Sequence, residues 1–296
     1  MPQNALIAPH SGRNGIEQSD VVVRRNLVAA SNHRNRSGLP CREDDMAVES
    51  KKERSDVSLL RPDCRPRLAE NLLQGARKLH AASLSAPLRS VGSGTVLIRP
   101  DRPSDGLFHL YRGWATRTRY WTDGRRAILS IYVPGDVIGI ESALLDRAPD
   151  EVVTVSPAMI HTIDAGTVAN LMTSPPTATY IAWLISEAQR RGDGVAGAIG
   201  RLDARERLAL MLLDFHERLR RRNLASPSSY VLPLTQQHIA DHLGLTIVHI
   251  NRTLHWFRAE RIVDIEKHIV TIRDLDRLRQ IAMADRALGG AARRTA

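Results

Sequence analysis

Asn251 and Arg252 are neighbours in the run TIVHINRTLHWFRA that starts at Thr246, and both carry base-reading chemistry. An asparagine amide bonds an adenine edge at two points, and a guanidinium does the same to guanine. In the same run Ile250, Leu254 and Phe257 recur at helical spacing, which buries one side and leaves Val248, Asn251, Arg252 and His255 opposite. Thr246 has the side chain to cap this helix, which runs to about Ala259. Upstream, Thr235 caps Gln236–Leu243, where Ile239, Ala240 and Leu243 share a face, and Gly244 supplies the left-handed residue that ends it. Two short helices joined by a glycine-containing turn form a helix-turn-helix. Ile262–Ile265 and Ile269–Ile272 then flank Glu266-Lys267-His268 and read as a small hairpin, a wing.

Other residues offer different chemistry and do not complete it. His238 and His242 stand four apart, as two zinc ligands of a protease would, but Ile239 occupies the place of the general-base glutamate. The pair reads instead as two surface positions on the first helix. Gly92-Ser93-Gly94 is too short for a phosphate loop and reads as a turn entering a strand. Cys41 and Cys64 are two thiols, whereas an iron–sulfur cluster needs four from one chain, so that cofactor is disfavoured. They make no disulfide framework either, which points to a reducing, cytoplasmic setting. The opening MPQNALIAPHSGRNG lacks a signal-peptide pattern, and no apolar run reaches the ~18 residues of a membrane span. The net charge is +10, and residues 201–296 hold 17 basic against 11 acidic side chains. A basic, folded C-terminal third suggests a polyanionic partner such as nucleic acid, with a solvated basic surface as the alternative.

These residues need elements to position them. Residues 1–60 show no hydrophobic period and read as disordered. Residues 66–83 place Leu68, Leu72, Leu73 and Leu79 on a short amphipathic helix. Strands are expected at Thr95–Ile98, Phe108–Tyr111, Ala115–Trp121, Ala127–Tyr132, Val152–Val155 and Met159–Ile163. Asp123-Gly124 has the composition of a two-residue hairpin turn, and Pro134-Gly135-Asp136 forms another turn. Many short strands with close turns read as an antiparallel barrel or jelly roll. A long helix follows from Ala178 to Leu202, with a seam of Ile181, Leu184, Ala188, Val195, Ala198 and Leu202 interrupted by Arg191. Such a seam can pair with a second copy or pack on its own barrel. Gly192, Gly194, Gly197 and Gly200 each weaken it by about 0.8–1 kcal/mol against alanine. Leu208–Leu219 forms a further amphipathic helix, and Asn223–Ser229 a polar loop. The fold expected is α+β: an N-terminal antiparallel β jelly-roll barrel, a long dimerisation helix and a C-terminal winged helix-turn-helix. The expected boundaries are a disordered extension over 1–60, the barrel over 61–175, the long helix over 176–203, the DNA-binding domain over 204–285 and a flexible tail over 286–296.

The run LPLTQQHIADHLGLTIVHINRTLHWFRAERIVDIEKHIVTIRDLDRL resembles the winged-helix domain of the Crp/Fnr superfamily of bacterial transcription regulators. GTVLIRPDRPSDGLFHLYRGWATRTRYWTDGRRAILSIYVPGDVIG resembles the same superfamily's cyclic-nucleotide-binding-like sensor barrel, and together the resemblance spans about residues 65–282. It implies a homodimeric regulator, not an enzyme, that reads palindromic DNA and meets RNA polymerase. By position it puts Ile247, Val248, Asn251 and Arg252 at the major groove, Thr246 and His249 at phosphates, and Gln236 and Gln237 near the backbone. Only Arg252 keeps the residue type most members use. Val248 stands where many have glutamate, so a thymine methyl replaces cytosine as its expected contact. Arg261 stands where glycine or asparagine is usual. Members that bind cyclic AMP carry Gly-Glu and, further on, Arg-Ser-Ala. Here Gly139 precedes Ile140, and Asp150-Glu151 fall on Arg-Ser. A carboxylate ~4 Å from a cyclic phosphate repels it by about 4 kcal/mol at an effective dielectric of 20, so cyclic AMP is disfavoured. The barrel then has another ligand or none. A ligand-binding regulatory module that does not act on DNA is the alternative, and the basic helix-turn-helix argues against it.

Overall fold

The computed structural model of the chain describes residues 66–104, 106–145 and 147–282. The expected extension over 1–60, the tail over 286–296, Cys41 and Cys64 lie outside the described residues. Helix α1 (Pro66–Ser85) buries Leu72, Ala76 and Leu79 beneath a later long helix, while Leu68 is left 43% exposed. The contact is close because of Gly75: a Cβ there would come within 2.1 Å of Pro176 O.

The strands are β1 (Leu88–Val91), β2 (Val96–Ile98), β3 (Gly106–Arg112), β4 (Ala115–Tyr120), β5 (Arg126–Tyr132), β6 (Val137–Ile138), β7 (Glu151–Thr154) and β8 (Ala158–Asp164). They form two four-stranded antiparallel sheets, ordered β1-β8-β3-β6 and β2-β7-β4-β5. Ile98, Phe108, Leu110, Ala115, Ile138, Val152 and Ile160 fill the space between them. This is the expected jelly roll, with two strands the sequence did not reveal. β1 is mostly exposed and β6 has two residues, so neither carries a readable alternation. The β4–β5 turn also differs from the expected two-residue form. Trp121 N–H donates to Arg125 O at 2.9 Å, and Gly124 but not Asp123 takes positive φ. A two-residue type I′ turn needs both central residues there; a single left-handed glycine makes the longer, bulged loop.

Two short helices, α2 (Ile140–Leu144) and α3 (Ala165–Met172), lead to the long α4 (Pro175–Arg201). It begins earlier than Ala178 because Pro175 and Pro176 occupy the first turn, where N–H groups have no helical acceptor to lose. Helix α5 (Ala204–Arg221) follows a capping box made by Asp203 and Glu206. The expected polar loop ends one residue sooner than read. Ser229 opens β9 (Ser229–Val231), which pairs with β11 (Ile269–Ile272) beside β10 (Val263–Glu266), so the wing has three strands. Helix α8 (Leu275–Ile281) closes the described chain.

One hydrophobic core crosses from the barrel into the C-terminal part. Trp114, Ile128, Ile131 and Val133 join Leu208, Leu212, Phe215, Tyr230, Ile250 and Phe257. Trp114 meets Phe215 edge-on, with ring centres 5.2 Å apart. The C-terminal elements are thus packed on the barrel.

Candidate nucleic-acid interface

The helix-turn-helix consists of α6 (Gln236–Leu243) and α7 (Ile247–Ala259). Thr235 Oγ1 accepts from His238 N–H and His238 Nδ1 accepts from Thr235 N–H, both at 3.2 Å, a reciprocal cap. Gly244 turns left-handed at φ 63°, and Leu245 N–H closes onto Ala240 O at 3.0 Å. Thr246 Oγ1 then accepts from His249 N–H at 3.2 Å. The caps and the turn are those the sequence indicated.

On α7, Ile250 and Phe257 are 0% exposed and Thr253 is buried, whereas Leu254 is half-buried. Opposite them Val248 is 64% and Ile247 40% exposed. Thr246, His249, Arg252 and His255 are exposed and Asn251 is half-buried, so the expected groove and phosphate residues share the solvent side of α7 and its first turn. Gln236 is exposed at the start of α6; Gln237 is half-buried and donates from Nε2 to Asp241 Oδ1 at 2.5 Å. That bond occupies one of the two N–H donors of the Gln237 amide. Helix α7 ends with Ile262 N–H on Phe257 O and Arg261 N–H on Arg258 O, a closure that puts Arg261 at φ 56°. The unusual residue type at this position therefore carries the backbone geometry that glycine or asparagine would.

His242 corrects a sequence expectation. It is buried rather than at the surface, and its Nδ1–H donates to Ile128 O of β5 at 2.9 Å. The burial that lowers its pKa comes from the barrel, which no local pattern in α6 reveals. His238 serves the α6 cap, so the two histidines do different jobs. Among the described residues no group of three or more His, Cys, Asp or Glu converges to hold a metal ion.

The polar contacts between barrel and helix-turn-helix were not legible in the sequence. Asp136, in the β5–β6 turn, accepts from Arg218 Nη2 at 2.5 Å and from Arg222 Nη2 at 2.8 Å. The partners are 82 and 86 positions apart, and Pro134-Gly135-Asp136 signals only a turn. Burial by itself would raise the Asp136 pKa, but Arg218, Arg222 and Arg191 outweigh it and hold the carboxyl far below its usual range. Arg191, the interruption in the long-helix seam, is turned toward this charge. Nearby, Arg126 Nε of β5 lies 2.7 Å from Asp241 Oδ2 of α6.

In the barrel, Gly139 precedes α2 and Ile140 is buried. Asp150 is 4% exposed and accepts from Arg119 Nε at 2.7 Å, with Arg117 Nε at 3.7 Å; Arg117 also pairs with Glu141. The carboxylate that falls on the family's phosphate position is thus paired within the chain. The guanidinium groups nearest the family's phosphate position, those of Arg119 and Arg117, are engaged by carboxylates.

The family description "cyclic nucleotide-binding domain" matches residues 88–174, and "Crp-like helix-turn-helix domain" matches residues 206–281. The two segments take up more than half of the chain, in the order the fold shows. The chain belongs to the Crp/Fnr family of transcription regulators. Among its relatives in the family, the nitrogen fixation regulation protein FixK of Azorhizobium caulinodans is 27% identical over 183 residues, which is 61% of this chain and 73% of that protein. The fumarate and nitrate reduction regulatory protein of Escherichia coli is 22% identical over 195 residues, 66% of this chain and 78% of that one. The solved structure of FixK2 from Bradyrhizobium japonicum shares the fold, with a TM-score of 0.61 at 22% identity, covering 66% of this chain and 96% of that one. A regulator of the CRP family from Thermus thermophilus matches with a TM-score of 0.54 at 17% identity over 66% of this chain and 96% of its own. Like other Crp/Fnr regulators, this one carries a helix-turn-helix for DNA. No described helix is long and apolar enough to cross a membrane.

Proposed function

We propose that this Crp/Fnr regulator binds DNA as a twofold homodimer and reads a palindromic site through α7. The observation that carries the reading is the exposed side of α7. Ile247 and Val248 are 40% and 64% exposed beside Arg252, on a helix whose other side is buried at Ile250, Thr253 and Phe257. Asn251 and Arg252 supply base-edge contacts, Val248 an apolar one, and Thr246, His249, Gln236 and Gln237 approach phosphates. Dimerisation runs along α4, where Ile185 is 39% and Ile199 41% exposed and a Cβ at Gly192, Gly194, Gly197 or Gly200 meets nothing within 4 Å. Half-sites one helical turn apart, ~34 Å, follow from twofold symmetry.

The barrel does not use cyclic AMP as its switch, and no iron–sulfur cluster or catalytic group is assigned to the chain. RNA polymerase is the expected protein partner, in the cytoplasm, by family resemblance. Selection of duplexes from a random pool by the purified protein, followed by anisotropy titration, tests the reading. Recovery of a palindrome bound by a dimer supports it. Recovery of no sequence preference would return the protein to the class of regulatory modules that act without DNA.

A further inference from the structure

We infer that Asp136, Arg218 and Arg222 are positioning residues for DNA recognition: they fix the helix-turn-helix at one setting on its own barrel. The inference rests on the dimeric DNA-reading function proposed above and names how that site is held.

The three side chains form one cluster, which Asp214 joins through Arg218 Nη1 at 3.3 Å. Arg218 donates from Nη2 to Asp136 at 2.5 Å and from both terminal nitrogens to Ile131 O at 3.2 and 3.3 Å. Arg222 donates to Asp136 from Nη2 at 2.8 Å and to Pro134 O from Nη1 at 2.6 Å. Asp136 also accepts from Val133 N–H at 2.8 Å, which ties its carboxylate to its own turn. The side chains of Asp136 and Arg222 are each 11% exposed and that of Arg218 is 15% exposed. Charge-assisted bonds of this kind, shielded from water, hold direction as well as distance. Arg218 in the last turn of α5 and Arg222 at its C-cap thus grip one barrel turn at three backbone or carboxylate points.

Helix α5 carries the helix-turn-helix with it. Arg207, near its start, donates to Ile199 O and Leu202 O at the end of α4 and to Leu243 O at the end of α6. The latch at Asp136 therefore fixes α5 to the barrel, while Arg207 fixes the other end of α5 to α4 and α6. The β5–β6 turn that carries Asp136 also borders a cavity of about 620 Å³ between β5, α4 and α5, which Tyr132, Trp183 and Arg191 help to line. These bonds tie that turn to α5, and α5 in turn to α4 and α6.

The latched arrangement leaves the reading side of α7 open, so it positions the helix and does not mask it. Two heads held at a fixed setting engage a two-part site as one unit; loosened heads lose orientation before the second contact forms. Releasing the latch should weaken binding to a full palindrome and leave binding to one half-site unchanged.

The test uses the full chain, a duplex recovered by selection with the wild-type protein, and the same duplex with one half scrambled. Asp136→Asn and Arg222→Gln should each weaken full-site binding by about 5- to 150-fold, the usual span of coupling between sites. Half-site binding and dimer mass should not change. The double variant should lose less than the two single losses combined, since the Arg222–Asp136 bond is shared, and Asp136→Glu should recover most of the binding. If Asp136→Asn fails to give a folded dimer, Arg222→Gln alone carries the comparison. Parallel loss on full and half sites, or no loss on either, overturns the positioning role. A wild-type protein that prefers the full site no more than the half-site overturns the dimeric reading itself.

Discussion

His242 of the helix-turn-helix donates its Nδ1–H to Ile128 O in the middle of a barrel strand, at 2.9 Å. The imidazole is buried, and that burial lowers its pKa from 6.5, so the native protein holds it neutral. In the unfolded chain it takes up a proton as pH falls through about 6.5. Its contribution is therefore present above that pH and is lost as pH drops toward the lowered native value. His216 and His238 are shifted the same way by burial. The midpoint of thermal unfolding should fall between pH 7 and 5.5, and His242→Gln should flatten that slope. An unchanged slope in the variant would remove His242 as a titrating group.

Arg252 stands exposed one position after Asn251 on α7. Arg252→Ala should cost about 1–3 kcal/mol of specific binding and relax one position of the site, as loss of a bidentate base contact does. Equal weakening on specific and random duplexes would make Arg252 a phosphate contact instead.

Val195 lies half-buried in the seam of α4, flanked by glycines with open space above them. Val195→Asp places a charge where a second copy of the helix is expected, and desolvating it there is costly. Sedimentation should show monomers, and palindromic DNA should bind poorly. A dimer of unchanged mass would take α4 out of the interface.

Arg261 closes α7 at φ 56°, in the left-handed region that an L side chain enters at a cost. Arg261→Gly should raise stability to urea by about 0.5–1 kcal/mol without moving the wing. A loss of stability would show that the arginine side chain makes a contact worth more than the backbone relief.

Asp150 is enclosed by Arg119 and Arg117, and Arg117 also holds Glu141. Calorimetry should show no cyclic AMP binding at micromolar concentration, and DNA binding should need no added nucleotide. A micromolar dissociation constant with tighter operator binding would mean that the nucleotide opens this ion-pair cluster.

Local sequence is enough for those parts whose causes lie within a few residues. Thr235, Gly244 and Thr246 cap and turn the helix-turn-helix because each acts on backbone groups one turn away. Ile250 and Phe257 face inward because apolar side chains at helical spacing must share a side. Features that depend on chain segments far apart emerge only when the chain is folded. Ser229 pairs as a strand only because β11 supplies its partner, and His242 leaves the surface only because β5 covers it. Asp136 reads as a turn residue until α5 brings two guanidinium groups to it from more than 80 positions away. A charge's partner is a matter of distance in space, and spacing along the chain carries no record of it.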